Sequence, residues 1–360
     1  MRLTTQRLSA APLPAAADAV RLLACVQSQE RDHAMFSLGM RARRATFASV
    51  RAELDAGGFL RTHILRPTWH FVAPEDLRWI LALTSPRVVS GMRARHHELE
   101  LDDPRFLARA FDALTDLLAG RRYRTRRQIG DAFTAIGGLP EPGPQLGHAL
   151  LLAELEGLIC SGPIAGVHHT YALVDEVVPP APALDREQAH VRLVRRFFTG
   201  HGPASVRDFT RWSSLTAAGT NAALAGIGDE LERVEIDGLQ HWFDPAALAR
   251  RRRDAPAGYL LPVYDEALLT YPAVTFPKAP GHPLERTAAD AFWAPAVAGQ
   301  RNVGAWKRTV GPRSVRVEVR MAASAIARER LAVEGAAGRL ARFLERELDF
   351  AVSTRSATVT

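Results

Sequence analysis

The sequence predicts an α+β chain in which a unit of helices followed by a β-hairpin occurs three times. Two observations predict this fold. Helical apolar patterns that end at glycine or at polar caps recur near residues 14, 104 and 185, and each set is followed by short β-prone runs. Proline-rich junctions at 178–182 and 255–256 separate the units, and the segment after them reads as strands and one long helix.

Composition places the chain among globular proteins. It has 360 residues, of which 47% are hydrophobic and 24% charged. No apolar run approaches the roughly 18 residues of a membrane span, and the N-terminus lacks the apolar core of a signal peptide. We therefore expect a cytoplasmic protein with no membrane partner. Cys25 and Cys160 lie in apolar runs and are predicted to be reduced core residues.

The positive charge is carried almost entirely by arginine. The net charge is +7 and the sequence pI is about 10.0, while Lys278 and Lys307 are the only lysines. Arginine binds phosphate with two parallel hydrogen bonds and stacks on bases, so this balance favours a nucleic-acid partner. The alternative is a GC-rich genome, whose codons favour arginine regardless of function.

The first unit has the order of a winged helix-turn-helix, in which three helices precede a hairpin. Its helices are predicted at 14–26, 34–43 and 47–56, and its strands at 59–65 and 68–72.

The same order is predicted twice more. In the second unit, helices are predicted from Pro104, at 126–136 with Thr125 as cap, and at 145–156, before strands at 157–160 and 169–174. In the third, Asp185, Ser205 and Thr216 or Ala217 begin helices reaching 198, 212 and 226, before a hairpin around Asp237-Gly238.

The last segment is β-rich. Strands are predicted at 258–262 and 292–297, a hairpin at 302–310 and 315–321, and a helix over 322–348 that is broken at 335–338. We expect the polar tail after Phe350 to fray. The predicted domains are 1–103, 104–180, 181–254 and 255–360.

Two glutamines, Gln27 and Gln29, flank Ser28 at the end of the first apolar run. Residues i and i+2 diverge in a helix but face the same way in an extended segment. If both amides act together, the helix therefore has to end at about Cys25 or Val26. The alternative is that the glutamines only cap a helix end and solvate a turn.

Four segments carry a resemblance to a known family: VQSQ at 26–29, RPTWHFV at 66–72, GPASVRDF at 202–209, and LLP at 260–262 followed by Tyr264-Asp265. They resemble the winged-helix DNA glycosylases of AlkZ and YcaQ type, bacterial enzymes that unhook interstrand cross-links and excise bulky N7-alkylpurines. The resemblance implies three tandem winged helices around a small C-terminal β-barrel. It assigns the family's catalytic motif, Gln-x-Gln or Gln-x-Asp, to Gln27 and Gln29, although Ser28 departs from the usual apolar middle residue.

Glutamine chemistry restricts the substrate. An amide cannot protonate a leaving group or deprotonate water, whereas an N7-alkylguanine already carries a positive charge and leaves readily. The enzyme then has only to position water and stabilise an oxocarbenium-like sugar. We therefore expect a monofunctional glycosylase for duplex DNA carrying alkylated purines, with Glu30 as an alternative base. We expect no cofactor and no metal, because His96-His97 and His168-His169 lack metal-site spacing with other ligands.

The predicted DNA-binding residues are Arg66, His70, Arg122, Arg124, Arg126, Arg127, Lys307 and Arg308. In an extended strand Arg66 and His70 share one face, which could meet DNA or the glutamines. The basic run from 121 to 127 leads into a helix N-terminus, and the lysine and arginine at 307–308 lie on the hairpin. A structural strand and a solvated loop are the alternatives, and the arginine run at 250–253 is predicted to be a solvated face.

The main alternative function is a non-catalytic winged-helix DNA-binding protein, either a regulator or a protein that only binds damage. Regulators usually pair one winged helix with a dimerisation or ligand domain. Three copies in one chain instead favour a monomer that wraps a duplex.

Overall fold

A computed structural model describes residues 1–181, 183–248, 256–271, 276–283 and 293–354. The arginine run at 250–253 lies outside these residues. Within them, no helix is long and apolar enough to cross a membrane.

The helices and strands follow one another along the chain in three stretches. The first contains α1 (Arg2–Thr5), α2 (Ala16–Leu23), β1 (Cys25–Gln27), α3 (Arg31–Gly39), α4 (Phe47–Asp55), β2 (Leu60–Ile64), β3 (Arg66–Val72), α5 (Pro74–Gly91) and α6 (Arg93–Glu98). The second contains α7 (Pro104–Leu118), β4 (Arg124–Thr125), α8 (Arg126–Ile136), α9 (Pro144–Leu155), β5 (Ile159–Ser161), β6 (Thr170–Leu173), α10 (Val174–Val177), α11 (Arg186–His201), α12 (Val206–Ser213), α13 (Ala217–Ile227), a 3₁₀ turn (Gly228–Glu230), β7 (Glu232–Ile236) and β8 (Leu239–Phe243). The third contains α14 (Pro245–Leu248), β9 (Gly258–Leu260), α15 (Glu266–Leu269), β10 (Ala294–Ala298), β11 (Arg301–Val310), β12 (Ser314–Met321), α16 (Ala327–Leu344) and β13 (Glu347–Thr354).

The chain divides into two units. Unit 1 consists of Met1–Ala19, Glu30–Arg51 and Asp244–Thr360, and unit 2 consists of Val20–Gln29 and Ala52–Phe243. Both units are discontinuous in sequence, since Val20–Gln29 belongs with the middle of the chain and Glu30–Arg51 with its end.

Unit 1 is built on a five-stranded sheet of order β13-β12-β11-β10-β9. Its strands are antiparallel except for β13, which runs parallel to β12 after the crossover helix α16. Tyr259, Leu261 and Val297 form part of its apolar core. A buried ion pair joins Arg41 to Asp265 at 2.9 Å, both side chains being 0% exposed.

Unit 2 contains two three-stranded sheets, of order β1-β3-β2 and β4-β6-β5, and the two-stranded β7-β8. Its apolar core includes residues of α7, α8, α9, β5 and β6, among them Leu114, Ile129, Phe133, Leu150 and Ile159. Helices and short sheets alternate along this unit, because each helix buries one apolar stripe against a neighbouring sheet or helix.

Several sequence predictions are confirmed. Thr125 caps α8 over the predicted residues, and Asp185 and Ser205 cap α11 and α12 with their side chains. The β7–β8 hairpin turns at Asp237-Gly238, both with positive φ, as a type I′ hairpin turn requires. Cys25 and Cys160 are buried and are not joined by a disulfide.

Other predictions of secondary structure are wrong. The first helix ends at Leu23 rather than near Val26, because Ala24 takes a positive φ of 63° and the chain then enters β1. Helix α16 continues through 335–338. Each glycine there lowers the stability of the helix by about 1 kcal/mol relative to alanine, but burial of the helix face that carries Ala336, Ala337 and Leu340 outweighs this loss.

Elements in two further regions were missed. The tail after Phe350 does not fray within the described residues, since Glu347–Thr354 forms β13 and pairs with β12 along its whole length. No element was predicted between 73 and 103, where α5 and α6 lie. Pro86 inside α5 hides the helical pattern, although Pro74 marks its start.

Candidate active site

Gln27 lies on extended backbone at the end of β1 in unit 2. Strand β1 pairs antiparallel with β3, with Gln27 opposite His70, and the Ser28 amide donates to the Trp69 carbonyl at 2.7 Å. The preceding helix thus ends before Gln27, as joint action of the two glutamines requires, although it ends at Leu23 rather than at about Cys25 or Val26. Gln27 is 8% exposed, so its neighbours cover most of it.

Arg66 fixes the Gln27 amide. Its Nη2 atom donates to Gln27 Oε1 at 2.6 Å, and its Nη1 atom donates to the Trp212 carbonyl at 2.9 Å. Gln27 lies opposite His70, and opposite residues of paired strands point to the same face of the sheet. Residues two and four positions from His70 along β3 also point to that face, and Arg66 is four positions away. Arg66 and Gln27 can therefore meet. The guanidinium thus links the β1–β3 pair to the end of α12.

His70 completes this arrangement. Its Nε2 atom lies 3.3 Å from Arg66 Nη2, and its Nδ1 atom lies 2.8 Å from the Thr68 carbonyl. Because a guanidinium can only donate and a carbonyl can only accept, Nε2 accepts and Nδ1 carries the proton. The ring is 0% exposed, so both nitrogens are used in positioning. Arg66 and His70 therefore face the glutamine, one of the two orientations that the strand pattern allowed.

Ser28 and Gln29 differ sharply in exposure. Ser28 is 0% exposed, and within the described residues neither its Oγ nor Thr68 Oγ1, both buried, has a hydrogen-bond partner. The middle position of the motif therefore behaves as an apolar one, despite the hydroxyl. Gln29 is exposed, and its Oε1 accepts a long hydrogen bond of 3.4 Å from the Trp69 amide. Its side chain is available at the surface, as is that of Glu30 next to it.

Arg61 of β2 is a contact of the motif that sequence reasoning missed. Its Nε and Nη2 atoms donate to the Ser28 carbonyl at 3.1 and 3.0 Å, and its guanidinium lies over the Trp69 ring. The available signal was an arginine inside a predicted strand that is otherwise mostly buried. Such a residue needs a specific partner, because unpaired buried charge is costly.

A cleft of about 530 Å³ opens beside Trp69. Its lining residues come from the β2–β3 pair, from the first turn of α8 and from the β6 edge: Arg61, Trp69, Thr125, Arg126, Arg127, Gln128, His168, His169 and Tyr171. Among the described residues, no acidic side chain lines it. Arg126 and Arg127 are both exposed, and Arg126 also donates to the Gly143 carbonyl. The structure thus brings two of the predicted DNA-binding arginines to the strand that pairs with the glutamine motif.

The rest of the 121–127 run is directed elsewhere. Arg122 donates from Nε to the Ala119 carbonyl at 2.7 Å and from Nη2 to the Asp116 carbonyl, both at the end of α7. Arg124 lies in β4 opposite Tyr171 and is half-buried. Neither arginine lines the cleft, so the run does not form one continuous surface.

Lys307 and Arg308 lie on β11 in unit 1. Lys307 pairs with Glu318 at 3.2 Å and lies 5.0 Å from the centre of the Trp293 ring. Burial lowers the pKa of Arg308 to about 10, and its buried Nη1 has no hydrogen-bond partner in the part of the chain that the structure describes. Burial, with the charge of Arg308, also lowers the pKa of His33 to about 4. His33 stacks on Trp306 of the same sheet at 5.8 Å.

The described ranges contain no group of three or more histidine, cysteine, aspartate or glutamate side chains that could hold a metal ion.

Comparisons with known proteins agree with one another. The family model described as DNA glycosylase AlkZ-like matches residues 20–343. A curated relative from Streptomyces sahachiroi, named interstrand DNA cross-link repair glycosylase, is 24% identical over 251 residues, and the match spans 66% of this chain and 66% of that protein. The solved structure described as Streptomyces sahachiroi DNA glycosylase AlkZ has a TM-score of 0.73 at 21% identity, and covers 98% of this chain and 97% of that one. The two chains therefore share a mixed α/β fold.

Proposed function

The chain belongs to the AlkZ-like DNA glycosylase family, and from this membership we propose that it is a monofunctional DNA glycosylase. In this proposal it hydrolyses the N-glycosidic bond of cationic N7-alkylguanine, including bulky adducts and interstrand cross-links. The observation that carries the proposal is the fixed amide of Gln27 beside the exposed amide of Gln29.

The reaction needs no proton transfer to the leaving base. An N7-alkylated guanine is already cationic, so its bond to the sugar can break without a general acid. His70 is the imidazole opposite Gln27 on β3, and its two nitrogens bond Arg66 and the Thr68 carbonyl, which argues against an acid–base role for this ring. The amides of Gln27 and Gln29 cannot supply a general acid either. Neutral bases such as uracil and 8-oxoguanine, which leave as anions unless they are protonated, are then poor substrates.

The two glutamines have different roles in this mechanism. Gln29 is exposed and can accept a hydrogen bond from water, so we assign it the positioning of the attacking water. Gln27 is mostly buried and Arg66 holds its amide in one orientation, so its dipole is already directed when charge develops on the sugar. Such preorganised dipoles act without reorganisation during the reaction.

Binding to duplex DNA is proposed to rest on arginine contacts with phosphate. Arg126 and Arg127 at the start of α8 line the cleft beside Trp69, where a helix N-terminus also favours an anion. Lys307 and Arg308 on the β11–β12 hairpin are a second predicted contact. We propose that the segments 1–103, 104–180 and 181–254 are tandem winged helices, that 255–360 is the C-terminal β-barrel-like unit, and that the protein acts as a monomer.

The test is release of bases from defined duplexes. Purified protein should release 7-methylguanine from methylated DNA and leave uracil and 8-oxoguanine in place. Gln27→Ala should abolish most of the release, whereas Gln240→Ala, the same change on the exposed face of β8, should not. Robust uracil release would contradict the amide-only mechanism. Tight binding without release of any lesion would instead favour a protein that only recognises damage.

A further inference from the structure

The glutamine motif leaves its sheet immediately after Ser28. Strand β1 ends at Gln27, and the Ser28 amide bond to the Trp69 carbonyl is the next contact with β3. Ser28 is fully buried, so its own carbonyl has to be satisfied within the protein. The position of the exposed Gln29 depends on how this carbonyl is held.

Arg61 supplies the donors. It lies on β2, which is separated from β1 by β3. Its Nε and Nη2 atoms donate to Ser28 O at 3.1 and 3.0 Å, and Nη2 lies 3.5 Å from Gln29 O. To reach these carbonyls the side chain crosses β3 over the Trp69 ring, where its Cζ is 3.6 Å from the ring centre. Arg61 is 9% exposed, so it meets the motif rather than the solvent.

The Trp69 ring is itself fixed from other directions. The His63 ring meets it edge-on with centres 4.8 Å apart, and the His169 ring does so at 4.3 Å. His63 Nδ1 in turn lies 2.5 Å from the buried carboxylate of Glu154 on α9. A guanidinium stacked on a ring that is held in this way has little freedom to move.

We propose that Arg61 is a positioning residue for the glutamine motif, an inference that rests on the proposed function. The guanidinium, supported by Trp69, fixes the backbone of Ser28 and Gln29, so that the Gln29 amide meets the substrate in one orientation. Arginine suits this role because its flat guanidinium can stack on an aromatic face while it donates in its own plane. An ammonium group cannot do both with the same geometry.

The first test separates turnover from binding. Arg61→Lys keeps the charge and Arg61→Gln removes it, and Arg192→Lys is the control, because Arg192 also lies over a tryptophan ring, that of Trp79 at 5.0 Å. We expect both Arg61 variants to lower the single-turnover rate by about 10- to 100-fold, since a displacement of about 1 Å can cost 100-fold. Affinity for undamaged duplex should stay within about twofold. Wild-type rates in both variants would overturn the proposal.

A double-mutant cycle with Gln29→Ala tests whether Arg61 acts through the motif. If it does, adding Arg61→Lys to Gln29→Ala should lower the rate by less than about twofold further. A purely structural role gives losses that multiply in the double variant, and that result would contradict positioning.

A third measurement does not depend on activity. Hydrogen exchange at the Ser28 amide should be faster in Arg61→Lys than in the wild type and in Arg192→Lys, because the carbonyl beside it is released. Trp69→Leu keeps the Arg61 guanidinium but removes the ring that supports it, so it should accelerate exchange as well. It replaces the Arg61 variants in this measurement if they do not fold. Unchanged exchange in every variant that folds would overturn the proposal. Accelerated exchange in a protein that releases no lesion would refute only the proposed function.

Discussion

Arg66→Ala is the substitution that tests most directly how the Gln27 amide is held. It removes a guanidinium that donates to Gln27 Oε1 at 2.6 Å and to the Trp212 carbonyl at 2.9 Å. A hydrogen bond to a charged group contributes about 1.5–3 kcal/mol. If that energy maintains the orientation of Gln27, the barrier to cleavage rises by a similar amount. Because about 1.36 kcal/mol of activation free energy corresponds to a tenfold change in rate, the rate should fall by about 10- to 150-fold.

The assay is single-turnover release of 7-methylguanine from a duplex at saturating protein, with affinity for undamaged duplex measured in parallel. Arg87→Ala is the matched control, because Arg87 donates to the Ser214 carbonyl at 2.7 Å, two residues beyond Trp212. It loses a comparable bond to backbone near the same helix end. We expect the control to keep the wild-type rate, and both variants to keep most of their thermal stability.

Two results would refute this reasoning. The first is a wild-type rate in Arg66→Ala when Gln27→Ala is impaired. The second is weaker binding of undamaged DNA, with the slope of log K against log salt reduced by about one and the single-turnover rate unchanged. Arg66 would then contact phosphate, as the sequence analysis predicted, and its bond to Gln27 would have no part in turnover.

Three other predictions follow from the same structure. Gln29→Ala should lower single-turnover excision by about 10²–10³-fold with DNA affinity retained, whereas Gln29→Asp should keep substantial activity; an unimpaired alanine variant would return the motif to a structural role. Alanine at both Lys307 and Arg308 should weaken duplex binding and flatten its salt dependence, measured by anisotropy titrations from low to high salt, and an unchanged slope would remove the hairpin from the interface. Burial lowers the pKa of His33 in the folded protein from 6.5 to about 4. As the pH falls, His33 is therefore protonated in the unfolded chain before it is protonated in the folded protein, and the contribution to the free energy of unfolding that is present above pH 6.5 is lost between pH 6.5 and about pH 4. Urea unfolding of His33→Asn should show a smaller loss over that window, and an identical pH dependence would contradict the prediction.

Local sequence signals determined much of the secondary structure. Capping side chains such as Thr125, Asp185 and Ser205 mark helix starts because they satisfy backbone amides within three residues along the chain. The Asp237-Gly238 turn is equally local, since its backbone angles are set by those two residues. The same reasoning located Gln27 and Gln29, because an apolar run that ends at two amides is visible without any partner.

Tertiary structure decided the features that depend on distant partners. Strand β13 forms because β12, more than thirty residues earlier, offers an open edge, and α16 stays continuous because its glycine-containing segment has a buried face. The assignment of 20–29 and 30–51 to different units could not be read from adjacent residues.

The candidate site shows the same division. The resemblance to the glycosylase family, carried by short motifs of the sequence, selected the two glutamines. Which groups hold them was decided by the register of β1 on β3 and of β3 on β2, which places Arg66 against Gln27 and leads Arg61 across Trp69 to Ser28. Hydrogen bonds between residues more than thirty positions apart require the chain to be folded first, so no local pattern could have assigned them.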